Sequence, residues 1–313
     1  MISRRTLLQG AAAGLAMPLA GVLKEPSIAA APDATAGEPA PFGFAICNET
    51  FQKRPFDRAV ALAAECGYRG LEIAPFTLCN RVTEVSAARR TEIRRTIESA
   101  GMKTVGLHWM LAKTQGLHLT SPDAEVRRRT LDYLRELAQF SADLGGRILV
   151  FGSPKQRDLL PGVSRQQALG HAGEVLEKLV PTLERTDTLL AIEPLAPGDT
   201  TFLTTAAEAL ELIARVGSPR CHLHLDCKAM SSEAAPIAEL IRRHRAAMVH
   251  FHANDPNGQG PGFGRLDFVP ILAALRAVNY RGWVSVEVFD GSPGEERLAR
   301  ESIGYLRRCL RST

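Results

Sequence analysis

No apolar run among the 313 residues reaches the roughly 20 needed to cross a bilayer as a helix, which argues against a spanning segment. The six cysteines form no Cys-x-x-Cys pair and no dense framework, so a disulfide-stapled scaffold is excluded, and buried free thiols are expected at Cys47, Cys221 and Cys227. Aromatic residues make up only 6% of the chain and no basic patch accompanies them, which removes the usual platform for nucleic acid. Charge of one sign is also scarce. The formal net charge is +4, and half of that excess comes from Arg4, Arg5 and Lys24 against Glu25. No G-x-G-x-x-G follows the first strand-like segment, and the glycine-rich stretch Gly258–Gly264 carries no P-loop lysine, so neither dinucleotide nor P-loop folds are indicated.

What is present begins with Ser3-Arg4-Arg5-Thr6-Leu7-Leu8, an Ala/Leu/Gly-rich run to about Leu23, and small residues at Ala29 to Ala31. Residues 1–31 therefore read as a twin-arginine (Tat-type) signal peptide that exports a folded protein to the periplasm or the extracellular space. No cysteine follows the apolar run, so no stable membrane anchor is expected. Residues 32–41 (PDATAGEPAP) read as a flexible linker.

From residue 42 to 313 short apolar strands alternate with amphipathic helices, eight times over. Eight such units in about 270 residues predict α/β architecture in a single (β/α)8 TIM barrel rather than an open doubly wound sheet. The stretch Met248–Asp267 is the clearest unit: a buried strand in which His250 and His252 share one face, then a loop closing on Asp267, suited to cap a helix. Ser121-Pro122-Asp123 predicts another helix start, with a cap and a first-turn proline.

Chemistry in a TIM barrel sits at the C-terminal ends of the strands. Those ends carry Glu193, Asp226, His252 and Glu287 on four successive strands, 33, 26 and 35 residues apart. Three carboxylates sharing a small pocket need a cation between them. Three hard oxygens and one imidazole suit a single divalent metal, Mn²⁺ first, with Mg²⁺, Co²⁺ and Zn²⁺ as alternatives. Substrate contacts are expected from His108, Trp109, Lys155, Arg157, Lys228 and Asp255 on the same rim, with Glu72 and Asn48 carrying less weight. His222 and His224 share the face of Asp226 and are expected to be hydrogen-bonded core residues. His118, His171 and His244 read as surface residues.

The motifs Gly-Tyr-Arg-Gly-Leu-Glu-Ile (67–73), Gly-Leu-His (106–108), Ile-Glu-Pro (192–194), Leu-Asp (225–226), His-Phe-His-Ala-Asn-Asp (250–255), Gly-x-Gly-Arg-Leu-Asp (262–267) and Val-Glu-Val (286–288) appear in that order. In this arrangement the chain resembles the sugar phosphate isomerase/epimerase family of xylose isomerase-like TIM barrels. The resemblance implies a divalent-metal-dependent sugar isomerase or epimerase acting on a keto sugar through an enediolate. Glu193 and Glu287 would be both metal ligands and the acid/base pair, with Asp226 and His252 completing the ligand set. Two positions depart from the ketose 3-epimerase pattern. Ala229 stands where a sugar-binding histidine is expected and Gly258 where an arginine is, and Lys228 and Arg157 are candidates to replace those contacts. The alternatives are metal-assisted elimination from a keto-glycoside and a non-catalytic sugar-binding subunit; an endonuclease IV-like activity lacks its extra histidine. The expected partner is a small carbohydrate, not nucleic acid, and a homo-oligomer is left open.

Overall fold

The computed structural model describes residues 41–313. The signal segment and the linker up to residue 40 lie outside the described residues. Eight strands, β1 (Gly43–Cys47), β2 (Gly70–Ile73), β3 (Lys103–Leu107), β4 (Ile148–Phe151), β5 (Leu189–Ile192), β6 (Cys221–Asp226), β7 (Met248–Ala253) and β8 (Trp283–Val286), form one closed barrel in sequence order. Every neighbouring pair is parallel, and β1 pairs with β8 through Phe44 opposite Val284 and Ile46 opposite Val286. Around the barrel run α1 (Phe56–Cys66), α2 (Ala87–Ser99), α3 (Ala124–Asp143), α4 (Arg165–Thr186), α5 (Ala206–Val216), α6 (Cys227–Met230), α7 (Ile237–His244), α8 (Val269–Ala277) and α9 (Glu295–Arg311). The predicted single (β/α)8 barrel is what the chain forms. Among the described residues no helix is long and apolar enough to cross a membrane.

Local signals in the sequence set these boundaries. Gly67 at φ +100 closes α1, and Ser164 with Gln167 opens α4 through a reciprocal capping box. Two expected caps shift, one by two residues and the other by one. Asp123, not Ser121, caps α3 by accepting from Glu125 N, which puts Pro122 before the cap rather than in the first turn. Asp267 accepts from Val269 N at 2.9 Å, although Phe268 occupies the cap position of α8. The four-residue α6, directly after β6, has no counterpart in the sequence reading.

Two apolar clusters pack the molecule. The larger lies between the sheet and the helices. The smaller, Ala45, Val105, Ile148, Val150, Leu189, Ala191, Val249 and Trp283, fills the barrel interior toward the N-terminal ends of the strands. Above that plug the interior turns polar. Strands β5 and β8 end one residue earlier than their acids, at Ile192 and Val286, yet Glu193 N and Glu287 N still bond to Phe151 O and Ala253 O at 3.3 Å. The ladder thus carries both carboxylates to fixed places on the rim.

Candidate metal centre

Glu72 is the floor of the polar interior. It is fully buried, and its carboxylate faces His250 Nε2 at 2.8 Å and His252 Nε2 at 3.1 Å. Burial alone would raise its pKa, but His250 and His252 hold the carboxyl well below the usual range. The same contacts act on His252: burial opposes its protonation, while Glu72 and then Glu287 push it well above the ordinary imidazole value.

With His252 Nε2 committed to Glu72, its Nδ1 points up into the rim, 3.1 Å from Glu287 Oε2 and 4.0 Å from Glu193 Oε1. If the single proton of a neutral ring sits on Nε2, two lone-pair acceptors face each other at Nδ1 and Glu287. A proton or a cation must resolve that contact.

Glu287 is heavily held. Its Oε1 accepts from Trp109 Nε1 at 2.8 Å and meets His108 Nδ1 at 3.2 Å, while Asn254 Nδ2 donates to its Oε2 at 3.2 Å. Burial would raise this carboxyl, but His252 and His108 hold it well below the usual range. Behind it, His108 Nε2 lies 2.9 Å from the buried Glu49. Trp109 reaches Glu287 from a backbone at φ +50, a left-handed conformation that a large side chain rarely adopts and that tertiary contacts must maintain.

Asp226 caps α6, accepting from Ala229 N at 2.7 Å, and its second oxygen accepts from Asn254 Nδ2 at 2.5 Å. Burial, then Glu287, raises its carboxyl to about 6. Glu193 is different. Although buried, its carboxylate receives no hydrogen bond from any described residue, and burial followed by repulsion from Glu287 and Asp226 pushes it well above the carboxylate range. Only its backbone is tied down: Arg157 Nη1 donates to Glu193 O at 2.5 Å and to Phe151 O at 3.3 Å.

Gly152 makes room for that free carboxylate. A Cβ at this position would lie 1.6 Å from Glu193 Oε2, and Gly152 is not in the left-handed region, so its backbone tolerates alanine. Gly152→Ala is therefore expected to leave the melting temperature nearly unchanged while displacing the carboxylate. Because a misplacement of about 1 Å can cost roughly 10²-fold in rate, kcat should fall to that extent. Wild-type kcat in this variant would remove Glu193 from the chemistry.

The four predicted ligands are thus brought to one place. Glu193, Asp226 and Glu287 line a cavity of about 240 Å³ with Trp109, Gly152, Pro154, Leu195, Asp199, Lys228, Ala229 and Phe289. His252 lies beneath them. Three buried carboxylates, one of them without a donor, and an imidazole whose Nδ1 faces two of them make a donor set that fits a divalent cation. The donor atoms of Glu193, His224, Asp226 and His252 lie within 4.8 Å of one another, whereas Glu287 groups with Glu49 and His108.

The expected substrate contacts divide. Trp109 and Lys228 line the cavity, Lys228 forming an ion pair with Asp199 and lying over the Phe289 ring. Arg157 does not line it: fully buried behind Glu193, its guanidinium buttresses the β4 and β5 ends, and burial lowers it to about 10. His108 is enclosed between Glu49 and Glu287. Asp255 turns into its own loop, accepting from Leu266 N at 3.2 Å and packing against Gly264. Lys155 is exposed and absent from the cavity lining.

Two other histidines are also corrected. His222 is half-buried, bonded to Pro219 O rather than part of the core. His224 is fully buried, but neither ring nitrogen has a hydrogen-bond partner among the described residues. His118, His171 and His244 are half-buried and partly exposed. The sequence reading missed Asn254 and Glu49. Asn254 was discoverable, since it continues the alternation of His250 and His252 along one face.

Comparison with known proteins finds relatives named as sugar epimerases and solved barrels of the same fold. A 188-residue stretch is 30% identical to L-ribulose 3-epimerase of Mesorhizobium japonicum, covering 59% of this chain and 62% of that relative, which is less than two thirds of its length. The 3-dehydro-D-guloside 4-epimerase of Escherichia coli (strain K12) is 26% identical over 254 residues, covering 78% of this chain and 91% of that one. These relatives are named epimerases, consistent with an enzyme of the sugar epimerase/isomerase class. The crystal structure of a D-psicose 3-epimerase in the presence of D-fructose superimposes with a TM-score of 0.76 at 22% identity, over 86% of this chain and 99% of that one, and so shares the fold. The family model of the xylose isomerase-like TIM barrel matches residues 60–309, and the chain belongs to that family.

Proposed function

We propose that the protein is a divalent-metal-dependent epimerase or isomerase of a keto sugar, working by removal and return of a proton on a carbon next to a carbonyl. The observation that carries this reading is the placing of two buried carboxylates, Glu193 from the β5 end and Glu287 from the β8 end, in the wall of one sugar-sized cavity. At about 240 Å³ it falls below the roughly 300 Å³ at which clefts for drug-sized ligands begin. Glu193, free of donors, is the group able to take and give a proton. Glu287, held by Trp109, His108, His252 and Asn254, stays ionised. Groups whose surroundings push them apart in acidity are suited to opposite roles.

Glu193, Asp226, His252 and Glu287 would hold the cation, with Mn²⁺ the first expectation. When bound, it would supply the positive charge that stabilises the enediolate oxygen. The remaining work belongs to the chain: Trp109 and Phe289 offer ring faces to the sugar, and Lys228 with Asp199 offers polar contacts in place of the histidine absent at Ala229. Among large apolar side chains, Phe289 is exposed at the cavity mouth (43%), which favours a substrate with a second group extending outward. A keto-glycoside satisfies this, and elimination from it is the second reading. Export through the segment at 1–31 would bring the enzyme to such glycosides.

The test is incubation of Mn²⁺-loaded protein in D₂O with ketoses, keto-glycosides and inososes, followed by NMR, with a chelator-treated control. Metal-dependent deuterium at a carbon beside a carbonyl is expected, and the product separates epimerase, isomerase and eliminase. Metal bound with no exchange on any member of the panel would overturn the reading.

A further inference from the structure

We propose that His224 is a further ligand of the same cation, so that the ion is held by two imidazoles, His224 and His252, together with Glu193, Asp226 and Glu287. The inference rests on the cation-binding reading above and goes beyond it in assigning a residue to the ion and a preference among metals.

The sequence sets His224 two residues before Asp226 on β6, hence on the same face and one layer deeper. The pairing of β6 with β7 shifts register between Leu223 and His224, after which His224 stands opposite His250 and Asp226 opposite His252. The His224 ring lies 5.2 Å from that of His250 and 4.2 Å from that of His252, centroid to centroid.

Its surroundings make it an anomaly as a packing residue. Glu72 engages His250 and His252, Asp226 engages Ala229 and Asn254, and the Cys47 thiol lies 3.5 Å from Ser285 Oγ. Both nitrogens of His224 are fully buried without a hydrogen bond, and Nε2 stops 3.6 Å from Glu193 Oε1. Each such group costs about 1–3 kcal/mol when nothing satisfies it, a cost that leucine at this position would avoid. The opposite partner is also unsatisfied, since the Glu193 carboxylate receives no donor from the described residues. An unpaired imidazole and an unpaired carboxylate 3.6 Å apart do not suit each other as a hydrogen bond. They do suit two ligands of one ion: bonds of about 2.0–2.2 Å to His and carboxylate donors separate those donors by roughly 3–4.4 Å. The donors of Glu193, His224, Asp226 and His252 fall within 4.8 Å of one another.

Adding a second imidazole to the oxygen ligands changes the metal that the site prefers. Imidazole suits Zn²⁺, Co²⁺ and Fe²⁺, while oxygen-rich sites suit Mn²⁺ and Mg²⁺. The site should therefore bind Co²⁺ and Zn²⁺ more tightly, relative to Mn²⁺, than three oxygens and one imidazole would.

The nitrogen count decides it. Pulsed electron paramagnetic resonance of Mn²⁺-loaded wild type should show two directly bound imidazole nitrogens, and His224→Leu should show one. Competition titrations should find Co²⁺ affinity in His224→Leu reduced by at least the roughly 10- to 100-fold that follows loss of a group merely hydrogen-bonded to a ligand, with Mn²⁺ affinity falling less. The metal-free variant should melt at or above the wild-type temperature, since an unsatisfied polar group has been removed. His224→Gln is a second variant, and the wild-type spectrum needs none. One bound nitrogen in wild type, or unchanged Co²⁺ affinity in a folded His224→Leu, overturns this inference and leaves the cation site standing. Failure of wild type to bind any divalent ion overturns both.

Discussion

Glu193→Gln is expected to lower kcat by roughly 10²- to 10⁴-fold, the range that a positioned general acid or base contributes. Glutamine keeps the shape but cannot accept the proton. It also removes one of three carboxylates from the cavity wall, and with it the repulsion among Glu193, Asp226 and Glu287 that the cation relieves. The metal-free variant should consequently melt higher than metal-free wild type, and its metal affinity should be lower. Deuterium wash-in at the carbon beside the carbonyl should disappear together with turnover. A variant that binds metal normally and still exchanges deuterium would transfer the proton chemistry to another group, with Glu287 the next to replace.

The barrel was legible in the sequence because its signals are local and repeated: eight apolar runs, each followed by a helical period and punctuated by residues such as Gly67 and Ser164. The four rim residues were legible for the same reason, since each stands at a strand end, and strand ends meet only if the sheet closes. The second layer was harder to see. Arg157 lies on a loop that reads as solvated, yet its guanidinium folds back under Glu193, a contact set by the turn Pro154–Gln156 and not by any pattern. Asp255 and Asn254 are adjacent, but it is Asn254 that reaches the rim carboxylates. The β7 alternation sends Asn254 inward to Asp226 and Glu287, while Asp255 folds against Gly264. His224 was expected to be hydrogen-bonded because buried polar groups nearly always are. Its exception depends on a register shift between β6 and β7, which no single strand reveals.

Glu72→Gln is expected to destabilise the metal-free protein by about 3–5 kcal/mol, the range for breaking a buried pair by removing one partner. A carboxylate presents acceptors to His250 and His252 together, whereas glutamine offers one oxygen and turns an amide toward the other ring. The pH dependence identifies the cause. Glu72 is held below its usual value in the folded protein, so its contribution is complete above about 4.5 and is lost as the pH falls through the folded value. His252 is held above its usual value, so its contribution is complete below about 6.5 and is lost as the pH rises through the folded value. The stability difference between wild type and variant should therefore be widest between about pH 4.5 and 6.5 and shrink on both sides, as read from denaturant midpoints. Metal affinity should fall roughly 10- to 100-fold as well, because His252 loses the acceptor that fixes its proton on Nε2 and frees Nδ1. A difference that is flat across pH would mean that Glu72 acts by packing alone. In that case the orientation of His252, and with it the proposed path from the barrel floor to the cation, would have to come from Glu287.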